Sequence, residues 1–270
     1  MILNLKKDKK LYYEVLNDSG EKGTIFFLNG VMASTNSWRN QAINLEREGY
    51  KIVLHDFIGQ MLSDKIVGEY TFLEHSNDLF ELVSFLDENN IHLVGTSYGG
   101  EVAMKFASMY PKLVKSIIII DSVSELDDKL IESVNSWIEL ASTYDGELFF
   151  KGMVPSIYGE TYMRNNQELL NNRAIAMKGI SKEYFDGQIS LYKTFINDVY
   201  MTDILKDIKC PSLIVVGEED TLKPIKFSKI IVENINNSKL ITIPESGHVT
   251  IFEKPIELNK HILEFLKSIK

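Results

Sequence analysis

The stretch "IHLVGTSYGGEVAMKFA", residues 91–107, runs from an apolar segment through a cluster of glycines into a helix-like segment, with one hydroxyl, Ser97, at the passage. The run "IHLVG" reads as a buried strand, and "EVAMKFASMYP" (101–111) reads as a helix that stops at its proline. So abrupt a strand-to-helix turn brings the two backbones close enough for Cβ atoms to collide. Gly95 and Gly99 relieve that crowding, and Gly100 carries the allowance into the helix. Held on such a turn, Ser97 projects its hydroxyl above the strand end, where the first N–H groups of the helix favour developing negative charge. Gly95-Thr96-Ser97-Tyr98-Gly99 therefore fits the G-x-S-x-G nucleophile pattern in the context that pattern requires. The competing reading is a glycine-rich connection with an incidental serine. A phosphate loop is disfavoured, because no lysine follows the glycines.

Working outward, further short apolar runs predict strands: "LYYEVL" (11–16), "TIFFL" (24–28), "KIVLHDF" (51–57), "SIIIID" (116–121), "SLIVVG" (212–217) and "KLITIP" (239–244). Most of the later ones are continuously apolar, as central strands covered on both faces are. Helix-like stretches lie between them at 37–49, 71–90 and 256–269. The alternation predicts an α/β fold with a mostly parallel central sheet flanked by helices, and "MILNL" with "LYYEVL" predicts an antiparallel hairpin at one edge. Residues 122–203 break the rhythm, with helical segments near 125–142, 147–154, 161–178 and 182–199 and no strand. Some eighty residues exceed a simple crossover, so 1–121 and 204–270 are expected to form the core and 122–203 an inserted helical cap.

The bulk numbers exclude more than they assert. Thirty-eight acidic against 29 basic side chains give a net charge of −9 with no basic cluster, which argues against nucleic acid and anionic membrane surfaces as partners. The longest apolar runs are too short to insert into a bilayer. The lone Cys210 cannot form an internal disulfide, and no Cys/His set has zinc spacing, so no metal is expected. "MILNLKKDKKLYYEV" lacks the apolar core of a secretory signal, so a cytoplasmic setting is expected. Nothing in the sequence sets an oligomeric state.

A serine hydroxyl becomes a nucleophile only beside a base, and the base needs an acid to orient it. Of five histidines, His248 in "IPESGHVTIFEKP" follows the last strand on a glycine-containing loop, at the same sheet edge as Ser97. His55 and His92 fall in strands, as buried structural residues; His75 and His261 fall on helices, as solvated ones. For the acid, "LIVVGEEDTLKP" (213–224) places Glu218, Glu219 and Asp220 just past a strand end. Asp220 is the first candidate and Asp121, after the neighbouring strand, its competitor. Two backbone donors are needed for an oxyanion, and losing one costs about 2.7–4 kcal/mol. Tyr98 supplies one N–H, and Val31, in the loop "NGVM" (29–32) where Gly30 lets the backbone approach, supplies the other.

Taken together, these segments resemble the α/β-hydrolase superfamily, in its cap-bearing esterase and lactonase branch, over nearly the whole chain. "FFLNGVMASTNSW" is similar to that family's oxyanion loop, "HDFIGQMLSD" to its aspartate–glycine–serine loop, and "LVGTSYGG" to its nucleophile elbow. "ILKDIKCPSLIVVGEEDTLKP" and "SGHVTIFEKPIELNKHILEFL" resemble its acid and histidine segments, in the family's Ser–Asp–His order. The chain departs from the pattern at Asn29, where the family usually has histidine, at Thr96, where histidine is common, and in the irregular "IGQMLSD". The resemblance implies an α/β-hydrolase fold and no metal or organic cofactor. Branches with an aspartate nucleophile are disfavoured by the serine at 97.

The expected chemistry is hydrolysis of a small or medium apolar carboxylic ester through an acyl-enzyme, with Ser97 as nucleophile, His248 as base and Asp220 as orienting acid. Bulky residues of the cap, Trp137, Phe150, Met153, Tyr158 and Phe195, with Met32 from the oxyanion loop, are candidate pocket walls. No arginine or lysine stands out as a carboxylate clamp. A lactonase, thioesterase or acyltransferase uses the same triad, a C–C hydrolase or lyase is compatible with these residues, and a hydrolase-like small-molecule receptor or signalling partner is the alternative of another class.

Overall fold

Every side chain of the strand Thr24–Leu28 is buried, yet successive ones leave for opposite sides: Phe26 and Leu28 enter one core, Ile25 and Phe27 the other. This two-sided burial is why the run is continuously apolar. The same division recurs at Ile117 and Ile119 against Ile118 and Ile120. The computed structural model describes all residues except Val67, Glu69 and Lys270.

The strands are β1 (Ile2–Asn4), β2 (Lys10–Leu16), β3 (Thr24–Leu28), β4 (Lys51–His55), β5 (Ile91–Thr96), β6 (Val114–Ile120), β7 (Ser212–Gly217) and β8 (Ser238–Ile243). They form one sheet in the order β1-β2-β4-β3-β5-β6-β7-β8. β1 and β2 form the antiparallel edge, and β3 to β8 run parallel. The helices are α1 (Arg39–Arg47), α2 (Phe72–Phe85), α3 (Tyr98–Met109), α4 (Asp128–Ser142), α5 (Gly146–Ile157), α6 (Glu160–Asn165), α7 (Gln167–Ala176), α8 (Lys182–Asp198), α9 (Ile225–Asn234), α10 (Thr250–Glu253) and α11 (Pro255–Ser268). One core joins the sheet to residues of α1 and α11, among them Leu45 and Ile262. The other includes Leu79 of α2 and Phe106 of α3, and continues without a break to Trp137, Phe149 and Phe185.

From β3 the chain passes to β4 on one side, then returns across β3 to β5 on the other. The order therefore reverses at β3 and β5, and the crevice beyond their C-terminal ends is where parallel sheets bind ligands. Five helices, α4 to α8, lie between β6 and β7, with no strand among the described residues. The single helix expected over 161–178 is two, because Asn166 takes φ −129° and ψ 30° and interrupts the turn. Asparagine competes for local backbone hydrogen bonds, which favours such a break. No helix among the described residues is long and apolar enough to cross a membrane.

Candidate active site

Ser97 joins β5 to α3 with φ 51° and ψ −122°, a positive φ that costs a non-glycine residue energy unless its surroundings enforce it. They do so from three sides. The Ser97 N–H donates to the Ile120 carbonyl at 2.8 Å, and its own carbonyl accepts from the Gly100 N–H at 2.8 Å and the Ser122 hydroxyl at 2.9 Å. A Cβ on Gly95 would strike the Gly99 carbonyl, and one on Gly99 would strike the Leu28 carbonyl, so the turn admits no larger residue at either position.

The hydroxyl so presented meets His248. Ser97 Oγ lies 3.0 Å from His248 Nε2, and His248 Nδ1 lies 2.8 Å from Asp220 Oδ2. A carboxylate only accepts, so Nδ1 carries the proton and Nε2 is left to accept from Ser97. Asp220 is fixed by the Leu222 and Lys223 N–H groups, which donate to its Oδ1 at 3.0 and 2.8 Å. His248 is held by its own N–H, donated to the Ile157 carbonyl of α5 at 2.9 Å. Glu253 supports the same loop by accepting from the Gly247 N–H at 3.0 Å and the Gly159 N–H at 3.2 Å.

The other acids are occupied elsewhere. Asp121 accepts from the Gly217 N–H at 3.0 Å and the Thr250 N–H at 3.3 Å, tying the end of β6 to β7 and α10. Burial and the neighbouring Asp220 charge push its carboxyl well above the usual range. Glu219 accepts from the Thr161 N–H and hydroxyl at 2.9 and 2.6 Å, which anchors α6, and Glu218 is exposed.

Asn29 is buried and clamps the loop after β3. Its amide nitrogen donates to the His55 carbonyl, Asp56 and Gln60 at 3.0–3.2 Å, and its oxygen accepts from Trp38 Nε1 at 2.9 Å. Gln60 extends the clamp by donating to the Gly30 and Val31 carbonyls at 2.8 and 3.0 Å. With the Gly30 and Val31 carbonyls held, the loop that carries the Val31 N–H is fixed, and Val31 shares a cavity wall with Ser97. The Tyr98 N–H, first in α3, has no partner within its helix. Crowding does not require glycine at position 30: a Cβ there would stand in ordinary contact, 3.5 Å from Ser97 Cβ.

A cavity of about 390 Å³ opens over these groups, with Ser97, His248 and Thr96 in its wall. Met32, Trp137, Phe150, Met153 and Tyr158 line it. Phe195 does not; it faces a second space of about 20 Å³ that also touches Ser97 and Trp137. Arg173, which no sequence motif singles out, is the one permanently charged side chain among the described residues lining the larger cavity. It donates to the Tyr158 hydroxyl at 2.8 Å and lies over the Phe252 ring.

A buried ion pair, which no motif marks, also stands at the site. Lys223 Nζ donates to Ser97 Oγ at 3.2 Å and to Glu101 Oε1 at 2.8 Å, with the two side chains 3% and 0% exposed. Burial holds the Glu101 carboxyl above its ordinary range, and Lys223 offsets this only in part. The signal was present in α3, where Glu101 stands among buried Val102, Ala103 and Met104, so its charge had no solvated face to occupy. His75 also departs from expectation. It is buried rather than solvated, packed against Phe57, Tyr70 and Tyr98, and desolvation lowers it to about 3. Its spacing from Phe72, Leu79 and Leu82 put it on the inward stripe of α2.

A family profile described as alpha/beta hydrolase fold matches residues 23–255. The chain is 28% identical over 260 residues to a bifunctional esterase/perhydrolase of Acinetobacter calcoaceticus, covering 90% of this chain and 91% of that protein. It is 24% identical over 271 residues to a 2-hydroxy-6-oxo-6-phenylhexa-2,4-dienoate hydrolase of Comamonas testosteroni, covering 97% and 94%. Among solved structures it is similar to MGS-M2, an alpha/beta hydrolase enzyme from a Medee basin deep-sea metagenome library. There the TM-score is 0.94 at 28% identity, over 100% of this chain and 98% of that one. With a sheet that reverses at β3 and β5, a serine at that reversal and hydrolases as its relatives, the chain is an enzyme and belongs to the alpha/beta hydrolase fold family.

Proposed function

We infer that the protein is a serine hydrolase that cleaves a small or medium apolar carboxylic ester through an acyl-enzyme. The observation that carries this reading is the unbroken hydrogen-bonded line Ser97–His248–Asp220, at 3.0 and 2.8 Å, opening on an apolar cavity of about 390 Å³. Ser97 Oγ attacks the ester carbonyl carbon while His248 Nε2 takes its proton, and Asp220 holds and stabilises the imidazolium. The Val31 and Tyr98 N–H groups receive the oxyanion. His248 then protonates the leaving alcohol, and the acyl group stays on Ser97 until a water activated by His248 releases it as the acid.

Residues 122–203 act in this reading as a cap that supplies most of the cavity's apolar wall and holds His248 through the Ile157 carbonyl. One side of the ester is short, because the space beside Phe195, about 20 Å³, holds little more than one small group. The other side occupies the larger cavity. Arg173 in that wall favours a second reading, an ester whose far end carries a carboxylate.

A panel of p-nitrophenyl esters and lactones, with matched esters ending in methyl or carboxylate, tests both readings. Turnover that peaks at short acyl chains, with burst kinetics, supports the first; a preference for the carboxylate-tipped members, lost in Arg173→Ala, supports the second. Slow turnover of every member, with thermal stabilisation by one small ligand, points instead to a receptor.

A further inference from the structure

Ser97 Oγ has a second polar neighbour besides His248. Lys223 Nζ approaches it to 3.2 Å, and an ammonium can only donate, so Oγ accepts from Lys223 while giving its own proton to His248. The lysine's remaining surroundings are filled: Glu101 Oε1 at 2.8 Å and the face of Phe195, whose ring centroid lies 4.3 Å away. Glu101 Oε1 also accepts from the Val123 N–H at 3.0 Å, which fixes the carboxylate in α3. The backbone N–H of Lys223 meanwhile donates to Asp220 Oδ1 at 2.8 Å. One residue thus touches the acid with its main chain and the nucleophile with its side chain. A buried ion pair is costly, and well-packed apolar residues often replace one without loss of stability, so fold stability is a weak account of this pair.

We propose that Lys223, charge-balanced by Glu101, is a further catalytic residue, which stabilises Ser97 Oγ as the departing group when the acyl-enzyme breaks down. The proposal rests on the acyl-enzyme reading above. In deacylation the water oxygen bonds to the acyl carbon as His248 Nε2 takes the water's proton. The C–Oγ bond then breaks, its electron pair stays on Oγ, and His248 returns the proton to Oγ, leaving a carboxylic acid and free Ser97. A donor already on Oγ lowers the energy of that departing oxygen. In acylation the same bond occupies a lone pair of the attacking atom and offsets the help it gives to proton loss. Lys223 therefore speeds deacylation more than acylation.

Stopped-flow kinetics with p-nitrophenyl acetate and butyrate resolve the two steps. Lys223→Met strands the Glu101 charge and is expected to lower Tm, so the paired Glu101→Gln/Lys223→Met variant, which removes both charges, is measured beside it. A charge-assisted hydrogen bond lost from Oγ predicts deacylation slower by about ten- to a hundredfold in the paired variant. Its burst approaches one equivalent per site, kcat falls by the same factor, and kcat/KM changes less than about threefold. Deacylation within twofold of the unmodified protein, or an equal fall in both steps, overturns the proposal while leaving the acyl-enzyme reading intact. Absence of any acyl-enzyme in the unmodified protein overturns both.

Discussion

Replacing Asp220 by asparagine tests how the proposed triad is wired, because the structure says which way the new amide must face. Asp220 Oδ1 accepts two backbone N–H groups, from Leu222 at 3.0 Å and Lys223 at 2.8 Å, and only oxygen can fill that position. The asparagine nitrogen is therefore turned toward His248, in place of the Oδ2 that now lies 2.8 Å from Nδ1. A donor there requires Nδ1 to accept, which moves the ring proton to Nε2. Nε2 then donates to Ser97 Oγ instead of accepting from it, and the base is lost while the geometry stays. In a serine–histidine–aspartate triad this wrong tautomer lowers kcat by about ten-thousandfold, about 5 kcal/mol of barrier. The comparator is Asp121→Asn, which touches Gly217 and Thr250 but not His248; it is expected to cost about 1–3 kcal/mol of stability and less than about tenfold in rate. Steady-state hydrolysis of p-nitrophenyl butyrate, with thermal unfolding as the check on folding, separates the two. A folded Asp220→Asn enzyme within tenfold of the unmodified rate, or a larger loss in Asp121→Asn, refutes the assignment.

Other consequences follow from the buried polar groups. Asn29→Ala leaves Trp38 Nε1 buried without an acceptor and frees the loop carrying Val31, so it is expected to cost about 1–3 kcal/mol in urea unfolding and about tenfold or more in kcat; unchanged kcat would show that the clamp does not serve the oxyanion. His75, lowered by burial from 6.5 to about 3, binds fewer protons folded than unfolded, so its contribution is complete above pH 6.5 and is lost as pH falls toward 3. His75→Phe removes that dependence, and the loss of stability between pH 7 and 5 is expected to shrink by about 2 kcal/mol. Equal losses in the two proteins by urea unfolding would contradict the buried neutral ring.

The parts of this molecule that were legible beforehand share one property: their signal is local. Continuous apolar runs located β3 to β7 because strands covered on both faces have no polar side to show. Ser97, Asp220 and His248 each directly follow a strand or its turn, so their common edge could be read from a parallel sheet alone. The role of Asn29 was not legible, since its partners Trp38 and His55, Asp56 and Gln60 come from two segments apart from its own loop. Lys223 precedes a proline three residues past the acid and reads as a solvated loop charge until Glu101, 122 positions away, is placed against it. The helices between β6 and β7 were recognisable as helices, but which bulky residue faces which space depends on how they pack. Phe195, expected in the pocket wall, lines the small space beside Ser97 and Lys223 rather than the larger cavity.

The central claim is that Ser97 carries the acyl group during turnover. Intact-mass spectrometry of protein quenched during p-nitrophenyl butyrate hydrolysis, followed by peptide mapping, measures this directly. The account predicts one butyryl adduct per chain, on the peptide containing Ser97, no adduct in Ser97→Ala, and an adduct that forms far more slowly in His248→Ala. Ester hydrolysis at the full rate by Ser97→Ala, or an adduct on any other residue, would contradict it.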